Sequence, residues 1–175
     1  MKRVLITGGA GFIAHHLIYH LIKETDWEIV SLDRLDYSGN LNRLDNILSS
    51  LNEKDKARVK VVFHDLKSEL NPWIRKDIGE VNIILHLAAG SHVDRSIESA
   101  NEFITTNVLG TQVLLDCARE KNVRRFLQVS TDEVMGSLPE SDDEFFTEDS
   151  PLQPNSPYAA SKAGIIAMSK SLAIE

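Results

Sequence analysis

One stretch decides the fold of this chain, Arg3-Val4-Leu5-Ile6-Thr7-Gly8-Gly9-Ala10-Gly11-Phe12-Ile13-Ala14. Its first five residues predict a buried strand, and residues 12–23 continue at helical period. Gly8 and Gly11 permit a tight turn and a close approach of a pyrophosphate to the helix N-terminus. Ala14 stands at the third glycine position, where the dinucleotide-binding fingerprint allows alanine.

A second strand and a carboxylate follow the helix that this turn opens. Residues 28–32 predict a buried strand, and Asp33 ends it about twenty residues after the glycines, where a carboxylate would bind a ribose 2′-hydroxyl. The order of strand, glycines, helix, strand and terminal Asp is far more specific than a glycine-rich turn alone. Because Asp33 would repel a 2′-phosphate, we expect NAD rather than NADP, although Arg34 beside it carries the opposite charge.

Further apolar runs predict the rest of a parallel sheet. We expect strands at residues 59–63, 83–87 and 126–129, a long helix over residues 99–121 and a last helix over residues 158–175. The buried stripe of the long helix is expected to be Ile104, Val108, Thr111, Leu115 and Ala118. Apolar strands alternating with helices predict an α/β fold, a doubly wound parallel sheet of the Rossmann type, in one domain over residues 1–175.

Composition narrows the classes of function. The chain has 175 residues, a net charge of −7 and a pI near 5.4, and it carries no basic cluster of the kind that binds nucleic acid. Cys117 is the single cysteine and cannot form an internal disulfide, which favours a cytoplasmic protein. No apolar run reaches membrane-spanning length, so we expect no membrane partner. His16 and His20 are one helical turn apart, but no acidic or cysteine partner accompanies them, and we expect no metal site.

Two short stretches carry side chains that can move protons. Thr131, Asp132 and Glu133 follow the fifth strand, and Tyr158 precedes Lys162 by one helical turn. An ammonium on the same helix face would stabilise a phenolate, so we expect Lys162 to lower the pKa of Tyr158 from its usual value of about 10. The phenolate could then accept the proton of an alcohol whose hydride leaves for a nicotinamide. Two further carboxyls exceed what that oxidation requires, which predicts a second proton removed and another donated.

The chain also carries longer motifs that form a recognisable set. They are Leu32-Asp33 with Tyr37-Ser38-Gly39-Asn40-Leu41, His86-Leu87-Ala88-Ala89, Ser91-His92-Val93-Asp94-Arg95-Ser96-Ile97, Thr106-Asn107, Ser130-Thr131-Asp132-Glu133-Val134, and Ser156-Pro157-Tyr158 with Lys162. With these motifs the chain resembles the extended short-chain dehydrogenase/reductase family, and within it the nucleotide-sugar 4,6-dehydratases, most closely those that act on dTDP-glucose. The Tyr/Lys pair marks the whole superfamily, whereas the Thr-Asp-Glu triplet is much more specific to the dehydratases.

The resemblance implies an NAD-dependent hydro-lyase that makes a 4-keto-6-deoxy sugar. Tyr158, with Lys162 and Thr131, would take the proton of the sugar's 4-hydroxyl as hydride passes to NAD. Glu133 would then remove the carbon-5 proton, which the new ketone acidifies. Asp132 would protonate the departing 6-hydroxyl, and the hydride would return to carbon 6.

The resemblance also implies which residues meet the cofactor, the substrate and a second subunit. The cofactor-binding positions are Gly8, Gly11, Phe12, Ile13, Asp33, Asp65, Leu66, Leu87, Ala88, Ala89, Thr106, Tyr158 and Lys162. Ser91 and Thr131 would contact the substrate, and the helices over 99–121 and 158–175 would form a homodimer. The C-terminal substrate domain of the family is absent from these 175 residues, so we expect the cofactor-binding half of a longer enzyme.

Other functions stay open at this point. Gly90 and Met135 stand where the dehydratases commonly have Glu and Tyr, which leaves the sugar and the nucleotide undecided. A UDP-, CDP- or GDP-sugar 4,6-dehydratase, an epimerase or a decarboxylase could use the same scaffold. Glu133 argues against an epimerase, because epimerisation at carbon 4 needs no proton from carbon 5. A non-catalytic dinucleotide-binding module is the alternative of another class, and it would have no use for the five proton-moving side chains.

Overall fold

A computed structural model describes residues 2–138 and 145–172 of the chain. Within these residues, five parallel strands form one sheet in the order β3-β2-β1-β4-β5. The strands are β1 Arg3–Thr7, β2 Glu28–Asp33, β3 Val59–Phe63, β4 Ile83–His86 and β5 Arg125–Gln128. All five predicted strands are therefore confirmed, and the observed limits of β2, β4 and β5 differ from the predicted ones by one residue.

Helices connect the strands in the described part of the chain. They are α1 Ala14–Glu24, α2 Leu41–Ser49, α3 Glu53–Lys56, α4 Pro72–Ile78, α5 Val93–Glu98, α6 Ala100–Phe103, α7 Gly110–Glu120 and α8 Pro157–Leu172. A π-helical segment, Ile104–Leu109, joins α6 to α7, and one 3₁₀ turn covers Asp132–Met135. Helix α1 begins two residues later than predicted, and α2 to α5 are additional to the predicted elements. None of the helices within the described ranges is long and apolar enough to cross a membrane.

The sheet is covered on both faces. Successive residues of a strand point to opposite sides, so neighbouring residues of β1 pack against different helices. Leu5 belongs to a hydrophobic cluster with residues of α4 and α7, whereas Val4 and Ile6 belong to a second cluster with residues of α1 and α2. Four of the five β1 residues are buried, as expected for a central strand. The prediction of a doubly wound parallel sheet is confirmed.

The chain groups into two compact units. The first contains Met1–Ala88 and Val113–Val129 and includes the entire sheet with α1 to α4. The second contains Ala89–Gln112 and Ser130–Glu175 and includes α5, α6, the π-helical segment, the 3₁₀ turn and α8. The predicted dinucleotide-binding residues fall mainly in the first unit, and the predicted proton-moving residues fall in the second.

The long predicted helix over residues 99–121 is helical over 100–120, but its middle is π-helical and its buried stripe differs from the predicted one. The most buried side chains are Phe103, Asn107, Thr111, Leu114 and Cys117. Ile104 is 50% exposed, so the prediction that it lies in the buried stripe is wrong. Thr111 is buried as predicted. The predicted stripe did not include Asn107, which the structure buries and hydrogen-bonds to Gly90 and Ser161.

The last helix, α8, begins at Pro157, one residue before the predicted start. It is described as far as Leu172, so the predicted end at residue 175 lies outside the described residues. Ser156 assists its start, since the Ser156 hydroxyl accepts a hydrogen bond from the Ala159 N–H at 3.1 Å. Tyr158, Ser161 and Lys162 are all buried on this helix.

Candidate active site

In the first unit, the glycine-rich turn has the close approaches that its sequence predicts. Gly8 has a φ of +72°, and a Cβ there would lie 3.0 Å from the Ala88 backbone. A Cβ at Gly11 would lie 2.8 Å from the Gly8 carbonyl oxygen, to which the Gly11 N–H donates a hydrogen bond. The backbone therefore turns so tightly after β1 that side chains larger than hydrogen do not fit at these two positions.

The start of α1 fits a phosphate group. Ile13 is the N-cap residue, and no side chain caps the helix. The His16 N–H donates to the Ile13 carbonyl at 3.2 Å, whereas the N–H groups of the first two helical residues are left without a side-chain cap. Such N–H groups, together with the helix dipole, favour an anion. Phe12 and Ile13 are 74% and 67% exposed, which is unusual for large apolar side chains and is consistent with their predicted place beside a ligand.

Asp33, at the end of β2, is held by two backbone groups. Its Oδ2 accepts a hydrogen bond from the Ala10 N–H at 3.0 Å, and its Oδ1 accepts one from the Leu35 N–H at 2.8 Å. The carboxylate is thereby tied to the glycine-rich turn. A carboxylate can accept about four hydrogen bonds, so capacity remains for ribose hydroxyls.

Two other predicted cofactor residues, Asp65 and Leu66, follow β3. The Asp65 Oδ1 accepts a hydrogen bond from the Lys67 N–H at 3.0 Å, and its Oδ2 lies 3.6 Å from Nη1 of Arg34. Leu66 is only 7% exposed and belongs to the hydrophobic core, so its side chain is committed to packing.

Hydrogen bonds of the Thr7 side chain connect the carboxyl ends of β1 and β4. These two strands are neighbours in the sheet, and the order of the strands along the chain changes direction between them. The Thr7 Oγ1 lies 2.6 Å from Nδ1 of His86 and accepts a hydrogen bond from the Ala88 N–H at 3.1 Å. Leu87 and Ala88, both predicted to meet the cofactor, are half-buried there. Dinucleotides bind doubly wound sheets at such a reversal of strand order.

In the second unit, Thr131 and Tyr158 form the centre of the proton-moving group. The Thr131 hydroxyl donates a hydrogen bond to Asp132 Oδ1 at 3.4 Å, and its interaction with the Tyr158 phenol lowers the pKa of that phenol. Thr131 is also the N-cap of the 3₁₀ turn, where its hydroxyl accepts a hydrogen bond from the Glu133 N–H at 3.3 Å. This turn places Asp132 and Glu133 directly after the residue that touches the phenol, and both of their side chains are exposed. Ser91, the other predicted substrate contact, is exposed as well.

The pKa of Tyr158 moves in the opposite direction from the predicted one. Burial raises the pKa, and so do the negative charges of Glu133 and Asp132, whereas the hydrogen bond from Thr131 lowers it. The prediction of a lowered pKa is therefore wrong for this arrangement. Lys162 is itself only 4% exposed, and burial lowers its pKa to about 8. The ammonium is still the dominant form at neutral pH.

Asn107 is a positioning residue to which the sequence interpretation gave no role. It lies in the π-helical segment and is 1% exposed. Its side-chain oxygen accepts a hydrogen bond from the Gly90 N–H at 2.8 Å, and its amide donates to the Gly90 carbonyl at 3.1 Å and to the Ser161 hydroxyl at 2.9 Å. The Ser161 hydroxyl in turn donates to the Tyr158 carbonyl at 2.7 Å. Asn107 thus links the loop after β4 to the helix that carries Tyr158.

Ala89 and Thr106, the remaining predicted cofactor contacts, lie in the second unit. Ala89 is half-buried. The Thr106 Oγ1 is buried, and it has no hydrogen-bond partner among the described residues. π-Helical segments such as the one that contains Thr106 are rare and occur often at functional sites. Among the described residues, no group of three or more His, Cys, Asp or Glu side chains could hold a metal ion.

Comparison with known proteins gives a consistent assignment. Residues 5–173 match the family model described as GDP-mannose 4,6 dehydratase. The dTDP-D-glucose 4,6-dehydratase of Mus musculus is 44% identical over 170 residues, which cover 93% of this chain and 43% of that protein. The chain spans about half the length of the curated relatives it matches.

Solved structures share the fold. The crystal structure of dTDP-glucose 4,6-dehydratase from Streptomyces venezuelae, with NAD and TYD bound, superposes with a TM-score of 0.85 and is 42% identical in sequence. The match covers 97% of this chain and 51% of the Streptomyces chain. The UDP-Glc/GlcNAc 4-epimerase of Campylobacter jejuni also has a TM-score of 0.85, but with 25% identity, and covers 98% and 49% of the two chains. With a family model matched over nearly its whole length, the chain belongs to the GDP-mannose 4,6-dehydratase family, within the nucleotide-sugar 4,6-dehydratases of the extended short-chain dehydrogenase/reductase type.

Proposed function

We propose that this chain binds NAD and supplies the catalytic side chains for dehydration of a nucleotide-activated hexose, dTDP-glucose, to its 4-keto-6-deoxy sugar in the cytoplasm. One observation carries the proposal: Thr131, whose hydroxyl favours the phenolate of Tyr158, is also the N-cap of the turn that presents Asp132 and Glu133. A simple alcohol oxidation needs the phenol but not two additional carboxyls. The dTDP-glucose dehydratases among the relatives support the choice of substrate.

NAD fits the first unit on structural grounds. The tight turn at Gly8 and Gly11, the uncapped start of α1 and the anchored carboxylate of Asp33 suit the pyrophosphate and a ribose of a dinucleotide. NAD, when bound, supplies the hydride acceptor for oxidation of the sugar.

The first proton step belongs to Tyr158. Because burial and the neighbouring carboxylates raise its pKa, the phenol is protonated in most molecules at neutral pH, and the phenolate that accepts the 4-hydroxyl proton is a minor form. The Thr131 hydrogen bond stabilises that phenolate. Lys162, one helical turn away on α8, is still mostly an ammonium below pH 8 and adds positive charge to the same helix face. Thr131 therefore lowers the free energy of the proton-accepting form, and we propose that the charge of Lys162 adds to this effect when substrate and cofactor are bound.

The second and third proton steps belong to Glu133 and Asp132. Oxidation at carbon 4 acidifies the hydrogen on carbon 5, and Glu133 removes it as general base. Asp132 donates a proton to the 6-hydroxyl, which leaves as water; return of the hydride to carbon 6 and of a proton to carbon 5 would then give the 4-keto-6-deoxy sugar. Both carboxyls are exposed and adjacent, so they can reach neighbouring carbons of one sugar. General acid–base groups of this kind typically contribute about 10²–10⁴-fold to the rate.

A panel of substrates tests the proposal. The complete natural polypeptide that contains residues 1–175 is mixed with NAD and with dTDP-, UDP-, CDP- or GDP-glucose or GDP-mannose, and products are identified by NMR. A 4-keto-6-deoxy product from dTDP-glucose supports the proposal. The same product from a GDP-sugar alone would favour the substrate in the family description. A 4-epimer without loss of water would replace the dehydratase by an epimerase, the function of several neighbours in structure.

We also propose a homodimer that uses the π-helical segment with α7 and the helix α8. Its support is exposed apolar surface on the π-helical segment, where Ile104 and Leu109 are 50% and 52% exposed. Ile165 on α8 is 1% exposed and belongs to the interior, so it does not contribute to such a surface. Light scattering on the complete polypeptide tests this proposal: a dimer is expected, and a monomer would refute it.

A further inference from the structure

Arg34 is the residue whose charge opposes selectivity for NAD. It follows Asp33 at the end of β2, where an arginine can accommodate the 2′-phosphate of NADP. In the structure its guanidinium is already bound. Nε donates a hydrogen bond to Asp36 Oδ2 at 2.7 Å, Nη2 contacts the same oxygen, and Nη1 lies 3.6 Å from Asp65 Oδ2.

Asp36 is well fixed in its place beside Arg34. Its other oxygen, Oδ1, accepts hydrogen bonds from the Ser38 N–H at 2.9 Å and from the Ser38 hydroxyl at 2.7 Å. Burial raises the pKa of Asp36, but the hydrogen bonds from Ser38 and the contact with Arg34 outweigh it, so the pKa is lowered overall. The carboxylate is therefore charged at neutral pH, and the pair with Arg34 persists.

The loop that carries this pair is anchored to the glycine-rich turn. The Asn40 N–H donates to the Ala10 carbonyl at 3.0 Å, and Nη1 of Arg43 donates to the same carbonyl at 3.2 Å and to the Ser38 carbonyl at 2.8 Å. Ala10 also donates its N–H to Asp33. These hydrogen bonds fix the positions of Asp36 and Arg34 relative to Asp33, the carboxylate predicted to bind the ribose.

We propose that Asp36, assisted by Asp65, sets the preference for NAD over NADP by holding Arg34 in an ion pair. A 2′-phosphate could recruit Arg34 only by drawing it away from two carboxylates, and it would then lie among three of them, since Asp33 is adjacent. Lys67, whose Nζ is 3.5 Å from Asp65 Oδ2, is a further cation near this cluster. A 2′-hydroxyl needs only an acceptor such as Asp33. The inference rests on the proposed binding of NAD.

Calorimetric titration with NAD and NADP tests this role of Asp36. We expect Asp36→Asn to lower the ratio of the NADP to the NAD dissociation constant by about tenfold or more, because a hydrogen bond between charged groups becomes available to the phosphate. Asp65→Asn should change the ratio in the same direction and serves as a second variant if Asp36→Asn does not fold. Asp55→Asn is a matched control. Asp55 lies in α3, and its Oδ1 is 2.8 Å from Nη2 of Arg58, so the substitution also removes a carboxylate from an arginine pair. It should leave the ratio of the two dissociation constants unchanged.

A double variant separates the action of Arg34 from the loss of negative charge. Arg34→Ala introduced with Asp36→Asn should abolish the gain in NADP binding. If the gain persists without Arg34, or if neither Asp36→Asn nor Asp65→Asn alters the ratio, the inference is overturned while the binding of NAD stands. If the parent chain binds no NAD, both the inference and the proposed cofactor are overturned.

Discussion

Replacement of Asn107 by alanine should destabilise the protein strongly, although Asn107 is an uncharged residue in the middle of a helical segment. The substitution removes three hydrogen bonds, two to the backbone of Gly90 and one to the Ser161 hydroxyl. At about 1 kcal/mol for each bond, the free energy of unfolding should fall by about 3 kcal/mol. For a chain of this size that corresponds to a decrease of roughly 6–12 °C in Tm.

Urea and thermal denaturation followed by circular dichroism measure this loss. Thr105→Ala is the matched control, because Thr105 lies in the same π-helical segment and its hydroxyl makes one bond, to the exposed Asn101 carbonyl at 2.9 Å. The control should lose less than about 1 kcal/mol. The bond from the Thr111 hydroxyl to the Asn107 carbonyl at 2.6 Å uses the backbone and survives in the Asn107→Ala variant. If the two variants are equally stable, Asn107 does not hold Gly90 and Ser161 together, and the reasoning is refuted.

Three further outcomes are expected. From the proposed role of Asp33 as the acceptor for a ribose hydroxyl, calorimetry should show NAD binding at least tenfold tighter than NADP, a difference of about 1.4 kcal/mol, and equal affinities would contradict this role. Burial lowers the pKa of Lys162 from 10.5 to about 8, so the unfolded chain binds more protons than the folded chain between these two pH values. The free energy of unfolding should therefore rise with pH from about 8 to 10.5. In chemical denaturation, Lys162→Met should show a smaller rise than the parent. Because the Thr131 hydrogen bond lowers the pKa of Tyr158, Thr131→Val should raise it further in a spectrophotometric titration compared with the parent, and an unchanged or lower value would contradict the bond.

The sequence predicted the sheet well because each strand is a short, nearly continuous apolar run. The glycine-rich turn and Asp33 were also predictable, since their chemistry depends on residues that are close in sequence. The helices α2 and α4 were not predicted, although both have recognisable starts. Asn40 and Asn71 cap them through side-chain oxygens, and Pro72 occupies the first turn of α4.

Features that depend on distant residues could not be predicted from local patterns. Asn107 is buried because its partners, Gly90 and Ser161, lie 17 and 54 residues away in the chain. The raised pKa of Tyr158 depends on burial and on charges from the 3₁₀ turn, which the helix spacing of Tyr158 and Lys162 does not reveal. The ion pair of Arg34 with Asp36 was accessible in principle, because the two residues are only two positions apart.

Glu133→Gln in the complete polypeptide tests the central claim, that Tyr158 and Glu133 act in successive proton steps. With NAD and dTDP-glucose, this variant should still oxidise carbon 4 but remove no proton from carbon 5, so nicotinamide absorbance should rise and a 4-keto-glucose nucleotide should accumulate without 6-deoxy product. Tyr158→Phe should show no rise in absorbance, and Asp132→Asn should resemble Glu133→Gln. Formation of 6-deoxy product by Glu133→Gln at near-parent rate would contradict the account.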